Sequence, residues 1–567
     1  MSVGTLGPDS QRALNDAIRL HQSGRLAEAE QLYRRILSLA PDNVDTLHLL
    51  GMLASQCGQH EAAIPLIGKA IALSKSRPVA AFHNNIGLAY RGLGKLDEAA
   101  QHFQQAARLK RDYAEAHSNL AAVLQAQGKL DEAAAAYRRA LNYAPGHPNA
   151  QYGLGVVLKE LGQLDEAAAA LQRVVQIAPN FPDAQNSLGA VLKEQGKHDQ
   201  AVGHFRQAIA LNPDFGNAHF NLAMVLREQG KPEDAAVAYR QALKLMPDDA
   251  QAHVDYAMTL LLGGDFAAGW KEYEWRWRTQ YQRPRPFAQP LWDGGDIAGK
   301  TILLHSEQGL GDTLQFVRYA PMVAQRGARI VLEVQKSLAS LMKNLDGVAE
   351  VIAQGDALPP FDLHCPLMSL PLAFRTAGDT IPGDTPYLKA DAERAAVWQA
   401  KLAALPGLKV GLVWAGAPRP GLPAADAIDR RRSLNLDQLA SFAGLEGVSF
   451  ISLQMGPPSE QAKKPPAGLV IHDWTGEIGD FADTAALVSG LDLVIGVDTS
   501  VIHLAGGLGK PVWMFNRFDT CWRWQLERKD SPWYPGLRQF RQPAPGIWEA
   551  PISAMRDALT ALTARRA

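Results

Sequence analysis

The sequence predicts an all-α superhelix of repeated helix pairs followed by an α/β region of two lobes. Three observations lead there. Glycines return at a fixed interval through the first half; the apolar pattern changes period near Lys300; and two loops rich in Gly, Asp, Thr or Ser each follow a strand-like run and open a helix-like one. The expected division is a repeat array over 1–280, a linker over 281–299, a first lobe over 300–385 and a second lobe over 386–567 with a closing helix.

The glycines are Gly24, Gly58, Gly94, Gly128, Gly162, Gly196, Gly230 and Gly264, spaced by 34 residues except for one step of 36. Leu-Asp-Glu-Ala follows them at 96–99, 130–133 and 164–167, and proline closes most units at Pro41, Pro145, Pro179, Pro213 and Pro247. Each unit reads as two short amphipathic helices, with glycine allowing the turn between them and proline stopping the second. One such pair cannot bury its apolar face, whereas stacked pairs can, and Ala99, Ala133, Ala167 and Ala201 permit close helix contact. Over roughly 11–280 the pattern resembles the tetratricopeptide repeat.

Nine residues before the turn glycine stand Asn85, Asn119 and Asn221, with Gly153 and Ser187 in the other middle units. A carboxamide donates and accepts at once, so a row of them can grip a peptide backbone of any sequence. Equally, these side chains can satisfy helix ends or face water. The layout is similar to that of protein O-GlcNAc transferase, and that resemblance implies an acceptor-holding asparagine ladder. The last unit differs, crowding Trp270, Tyr273, Trp275 and Trp277 together ahead of a proline-rich connector from Arg283 to Pro290. Such a segment is too apolar for a solvated end, and packing onto the next domain is expected, with an aromatic acceptor platform as the alternative.

From Lys300 onward, strand-like runs at 301–305, 330–334, 410–414, 448–453 and 493–497 alternate with helical stretches, as in parallel sheets. A break near 382–385, followed by a helix over about 391–402, separates two lobes. Ligands in such folds bind at the carboxyl ends of the strands. The first chemistry-bearing loop is Glu307-Gln308-Gly309-Leu310-Gly311-Asp312-Thr313, whose glycines allow a tight turn beside a ligand and whose helix start offers free N–H groups. The second runs through Asp498, Thr499 and Ser500 into a helix carrying His503. There, hydroxyls and the positive helix end converge on a spot suited to a diphosphate.

Gly311-Asp312, the Asp498-Thr499-Ser500 to His503-Leu504-Ala505 segment and Gly509-Lys510-Pro511-Val512 together resemble the heptosyltransferase-type glycosyltransferases. With Trp522-Arg523-Trp524 and Asp530 to Pro535, the whole is similar to bacterial tetratricopeptide-repeat glycosyltransferases. The resemblance implies an all-α tetratricopeptide superhelix followed by an α/β GT-B region with two Rossmann-like lobes. It further implies an inverting, metal-independent transfer of sugar from a nucleotide-sugar to a protein hydroxyl, with Asp312 as base. The alternative for Asp312 is a helix cap. Gly309, Gly311, Asp498, Thr499, Ser500 and His503 become donor-binding residues. Arg432 and Ser433, in a loop with Arg430 and Arg431, align with the family's phosphate contacts, and Gln454 either reads the nucleobase or ends a strand. His503 either touches phosphate or packs, and Trp522, Trp524 and Trp533 either stack on sugar or fill the core. Flagellin is an acceptor the resemblance implies.

A formal net charge of −1 argues against general affinity for nucleic acid or anionic membrane. Cys57, Cys365 and Cys521 lie far apart, which fits a reducing cytoplasm better than a disulfide framework. No apolar run approaches the ~18 residues a membrane span needs. No resident cofactor and no metal are expected, with nucleotide-sugar as co-substrate. Two competing readings remain: a lipid or polysaccharide glycosyltransferase, and a non-catalytic scaffold whose second half is a degenerate transferase fold.

Overall fold

The structure is a computed structural model that describes residues 6–418, 421 and 423–565. Packing divides the chain into two compact units, one ending at Val225 and the other running from Leu226.

Among the described residues, sixteen helices from Pro8–Gln22 to Phe266–Tyr273 follow one another as eight pairs. The turn glycines take positive φ, from 70° at Gly94 to 89° at Gly264, a conformation that costs a side-chain-bearing residue about 1–2 kcal/mol. Within the N-terminal superhelix, Ala99, Ala133, Ala167 and Ala201 are fully buried, as their repeat positions predict. Large side chains of the second helices fill the space that glycines leave on the first. A Cβ on Gly87 would stand 2.8 Å from Phe103 Cε1, and one on Gly153 would stand 2.2 Å from Tyr137 Cζ.

The second unit holds two parallel sheets. Strands β1 (Thr301–His305), β2 (Arg329–Val334), β3 (Val348–Ala353) and β4 (Leu363–Pro366) lie in the order β3-β2-β1-β4. Strands β5 (Leu408–Val413), β6 (Val448–Ser452), β7 (Ile471–His472), β8 (Leu493–Val497), β9 (Val512–Asn516) and β10 (Leu537–Arg541) lie in the order β10-β9-β8-β5-β6-β7. The runs read at 301–305 and 493–497 become strands over those same residues, and the other three shift by one or two at an end. The helix read at 391–402 is Ala392–Ala403, capped by the Asp391 side chain on Arg394 N. Strands β3, β4, β7 and β10 have no counterpart in the sequence reading, being short or lying at or next to sheet edges. Strand order reverses between β5 and β8 in the larger sheet, and a crevice at the carboxyl ends is expected at that point.

The packing boundary at Val225/Leu226 falls well before the expected domain end at 280, for a physical reason. The aromatic run of the last repeat forms part of the α/β core. Trp270 is buried edge-on to Trp522, with ring centroids 5.1 Å apart, and also meets Phe316 and Trp533. Replacing Trp270 with Ala should therefore destabilise the α/β unit by about 3–5 kcal/mol, although the residue lies in a repeat. Urea denaturation followed by circular dichroism checks this, and a loss below about 1 kcal/mol would mean that the repeat merely abuts the sheets.

Candidate functional site

The residues singled out in the α/β region gather where two loops meet. β1 ends at His305, and the next helix, Leu310–Phe316, starts on Gly309. β8 ends at Val497, and its helix, Ser500–Gly507, starts on Thr499. The two helix starts touch through Gly311, where a Cβ would stand 2.8 Å from His503 Cδ2 and 3.7 Å from Ser500 Cα. Glycine is required there by close approach, since its φ is ordinary.

Asp312 caps its helix, accepting from Gly309 N at 2.9 Å through Oδ2. Its other oxygen accepts from Arg523 Nη2, while Arg523 Nε donates to Gln315 Oε1. Both carboxylate oxygens are thus engaged. Arg523 is a residue the sequence reading quoted without assigning a role. Its buried setting was not legible because its partners lie about 210 positions away.

On the facing loop, Asp498 is held below the usual carboxylate range. Burial alone would raise it, but the Arg432 and Arg523 guanidiniums outweigh that effect. Arg432 comes from a helix, Pro423–Arg432, rather than from the expected loop. The run Asp-Ala-Ile-Asp-Arg-Arg-Arg has no helix breaker, and Arg432 Nη2 reaches back one turn to Asp429 Oδ1 at 2.5 Å. Its Nη1 donates to the Asp498 carbonyl at 2.6 Å. Arg431 pairs with Asp519 at 2.9 Å, and Arg430 pairs with Asp426 at the surface. Ser433 Oγ accepts from Gly416 N at 3.0 Å, which fixes the turn after β5. The Thr499 hydroxyl and Arg432 Nε are buried and, among the described residues, have no hydrogen-bond partner. Two such buried donors beside a reversed strand order suit a polar ligand.

Gln454 corrects the nucleobase expectation. Its Oε1 accepts from Trp414 N and Ala415 N, and its Nε2 donates to Ala415 O and Met455 O. Both N–H groups and both oxygen lone pairs of the amide are spent on the ends of β5 and β6. Trp522, Trp524 and Trp533 are likewise core residues, each at most 3% exposed, and present no stacking face to a sugar.

His503 is packed. It is 5% exposed, its Nδ1 meets Tyr534 OH at 2.8 Å, and its Nε2 is 3.9 Å from Asp498 Oδ1. Burial pushes the imidazole down to about 3; Arg523, Arg318 and Arg432 act in the same direction and Asp498 opposes. In the unfolded chain the group titrates near 6.5, so that state takes up the proton first. The stabilising share is full above about pH 6.5 and is lost as pH falls toward 3. The His503→Gln variant should lose that dependence, flattening the stability slope between about pH 6 and 4 by up to about 1.4 kcal/mol per pH unit. Equal slopes in urea titrations of the two proteins would mean that His503 does not titrate this way.

A second buried pair fixes the β1 loop to the last repeat. Arg276 donates from Nε to Glu307 Oε2 at 2.8 Å, from Nη1 to Glu274 Oε1 at 2.6 Å and from Nη2 to Ser369 Oγ at 2.7 Å. Gln308 Nε2 donates to Tyr273 OH at 2.8 Å. An arginine inside the apolar run Glu-Trp-Arg-Trp was the available signal, because a buried charge there demands an acid partner. Replacing Arg276 with Ala strands the Glu307 carboxylate in the core and should cost about 3–5 kcal/mol in chemical denaturation; a cost near zero would refute the clamp.

In the N-terminal unit, the asparagines bond from repeat to repeat. Asn119 Nδ2 donates to Asn84 Oδ1 and Asn221 Nδ2 to Asn186 Oδ1, each at 3.0 Å, while Asn85 Nδ2 meets His48 Nε2 at 2.8 Å. Both gaps have causes in packing: the Tyr137 ring fills the place of a side chain at 153, and Ser187 Oγ meets Tyr152 OH at 3.3 Å. These bonds use one N–H of each ladder amide, which leaves further donor and acceptor capacity on each.

Models of the tetratricopeptide repeat match residues 20–81 and 124–191, and further repeat models match 87–128 and 182–248. Protein FlbA of Caulobacter vibrioides is 29% identical over 336 residues, which are 53% of this chain and 54% of that protein. The chain therefore spans about half the length of this curated relative. Among solved structures, the APC/C hetero-tetramer Cut9–Hcn1 matches with 22% identity and a TM-score of 0.35 over 47% of this chain and 52% of that one. YrrB, described as a TPR protein with an unusual peptide-binding site, matches with 25% identity and a TM-score of 0.30 over 33% and 95%. No helix among the described residues is long and apolar enough to cross a membrane. The chain carries tetratricopeptide repeats through its N-terminal half, a scaffold for protein–protein interaction, ahead of a region of parallel sheets with mixed α/β content.

Proposed function

We propose that the α/β region is a GT-B glycosyltransferase that moves a sugar from a nucleotide-sugar to a hydroxyl of a protein acceptor held by the repeats. The observation that carries this reading is the meeting of Asp312 with the Asp498–Ser500 loop. There the Thr499 hydroxyl and Arg432 Nε, unpartnered among the described residues, lie at the strand-order reversal between β5 and β8. The donor diphosphate would take the Thr499 and Ser500 hydroxyls, the N–H groups of the Ser500 helix and Arg432. Arg432 and the helix end would then carry the leaving-group charge in place of a metal ion. Asp312 would accept the acceptor's hydroxyl proton as the oxygen attacks the anomeric carbon. The diphosphate leaves with its electron pair, and a single displacement inverts the configuration.

The Asn85, Asn119 and Asn221 amides would use their remaining capacity on the acceptor backbone. A peptide of open sequence is the chemistry they fit, a flagellin segment among others. One observation favours the rival reading of a non-catalytic scaffold: both Asp312 oxygens are already engaged.

Thermal-shift titration with UDP, GDP, ADP, TDP and CMP tests the donor site. One nucleotide should stabilise the chain, and alanine at both Thr499 and Ser500 should abolish the effect; stabilisation by none would favour the scaffold. With that donor, Asp312→Asn should lower transfer about 10²–10⁴-fold while still binding nucleotide, and undiminished transfer would remove Asp312 as the base.

A further inference from the structure

The geometry points to Arg523 as a positioning residue that serves two anions in turn. It holds the Asp312 carboxylate in the absence of donor, and passes to the donor's diphosphate when that group reaches the Asp498–Ser500 loop, releasing Asp312 to act as base. This rests on the glycosyltransferase reading of the same site.

Arg523 stands between the two loops. Its Nη2 bonds Asp312 Oδ1, its Nε bonds Gln315 Oε1, and its Nη1 lies 3.3 Å from Cys521 Sγ, with the guanidinium 4.3 Å over the Trp522 ring. The side chain is 10% exposed, and its charge acts on Asp498 as well as on Asp312. The reach is short, because the helix carrying Asp312 starts in van der Waals range of Ser500 at Gly311. Trp522 and Trp524 on either side are buried, so the local backbone is held and a change of partner falls to the side chain.

A buried guanidinium needs acceptors for its N–H groups at all times. Asp312 supplies one negative charge, and a diphosphate supplies more charge and more acceptor oxygens in the fork geometry that arginine prefers. The exchange therefore keeps the guanidinium paired when donor arrives, while Asp312, with a side chain 22% exposed, is left to water and its Gly309 N–H. It also answers the difficulty that, with Oδ1 on Arg523 and Oδ2 on Gly309 N, neither carboxylate oxygen is open to an acceptor hydroxyl. After the exchange, Asp312 keeps its Gly309 N–H through Oδ2 and has Oδ1 free for the acceptor proton. The C–O bond to the anomeric carbon forms, the bond to the diphosphate breaks, and the departing electron pair lies beside Arg523. Oδ1 of Asp312 thus opens to the acceptor only with donor bound, which orders donor before acceptor.

Calorimetric titration of the full chain with inorganic pyrophosphate, and with whichever nucleoside diphosphate stabilises it, reads the exchange without any transfer reaction. Asp312→Asn frees Arg523 from its carboxylate and should tighten diphosphate binding about tenfold, while Arg523→Gln should weaken it about tenfold or more. Combined with Arg523→Gln, the Asn substitution should no longer tighten binding. Unchanged affinity in Asp312→Asn overturns the exchange, as does tightening that persists without Arg523. The Asp312→Asn arm decides alone if Arg523→Gln does not fold. Failure of the native chain to bind any diphosphate overturns the glycosyltransferase reading and this proposal with it, whereas binding indifferent to Asp312 overturns the exchange only.

Discussion

The close approach of the helices Leu310–Phe316 and Ser500–Gly507 governs the candidate site. Each helix follows the carboxyl end of a parallel strand, where unpaired N–H groups of the first turn point outward. Bringing two such ends together gathers partial positive charge, and acids must balance it. Asp312 and Asp498 are those acids, and Arg523 and Arg432 in turn hold them. Without glycine at 311 the His503 ring would have to move, and with it the Tyr534 contact and the floor of the second loop.

Buried charge in the second unit is paired across long sequence separations. Arg276 with Glu307 ties the last repeat to the β1 loop, and Arg523 with Asp312 ties the segment before β10 to the helix after β1. Such pairs add little net stability over apolar packing, yet breaking one is costly. Their value here is positional: each removes the alternative arrangements in which a charge would be left alone in the core. Arg318 is held differently, its donors spent on the Trp533 and Pro382 carbonyls and on Tyr387 OH.

The N-terminal unit follows a simpler rule. Each second helix presents a large side chain, and each first helix answers with a glycine or alanine beneath it. Where Tyr137 claims the position above residue 153, the polar ladder must lapse. Groove chemistry is therefore set partly by core volume, and the asparagines survive where Phe103 and Phe205 find their space at Gly87 and Gly189 instead.

The glycine interval, the buried alanines and the proline stops determined the repeat array from sequence alone, because every contact in it recurs between neighbouring repeats. The same held for β1 and β8 and for the two loops after them, since a strand, a turn and a helix start are local events. Legibility ended where partners are distant. Arg432 read as a loop residue because its helix lacks an apolar face; Gln454 read as a ligand contact because nothing local announces that the backbone of 414 and 415 will claim it. The Trp-Arg-Trp segment shows the division most directly. Its tryptophans read as either core or sugar-stacking residues, and the carboxylate that its arginine meets lies across the sheets. Only tertiary packing, which sets the partner of each buried charge, selects Asp312 from the many acids the sequence offers.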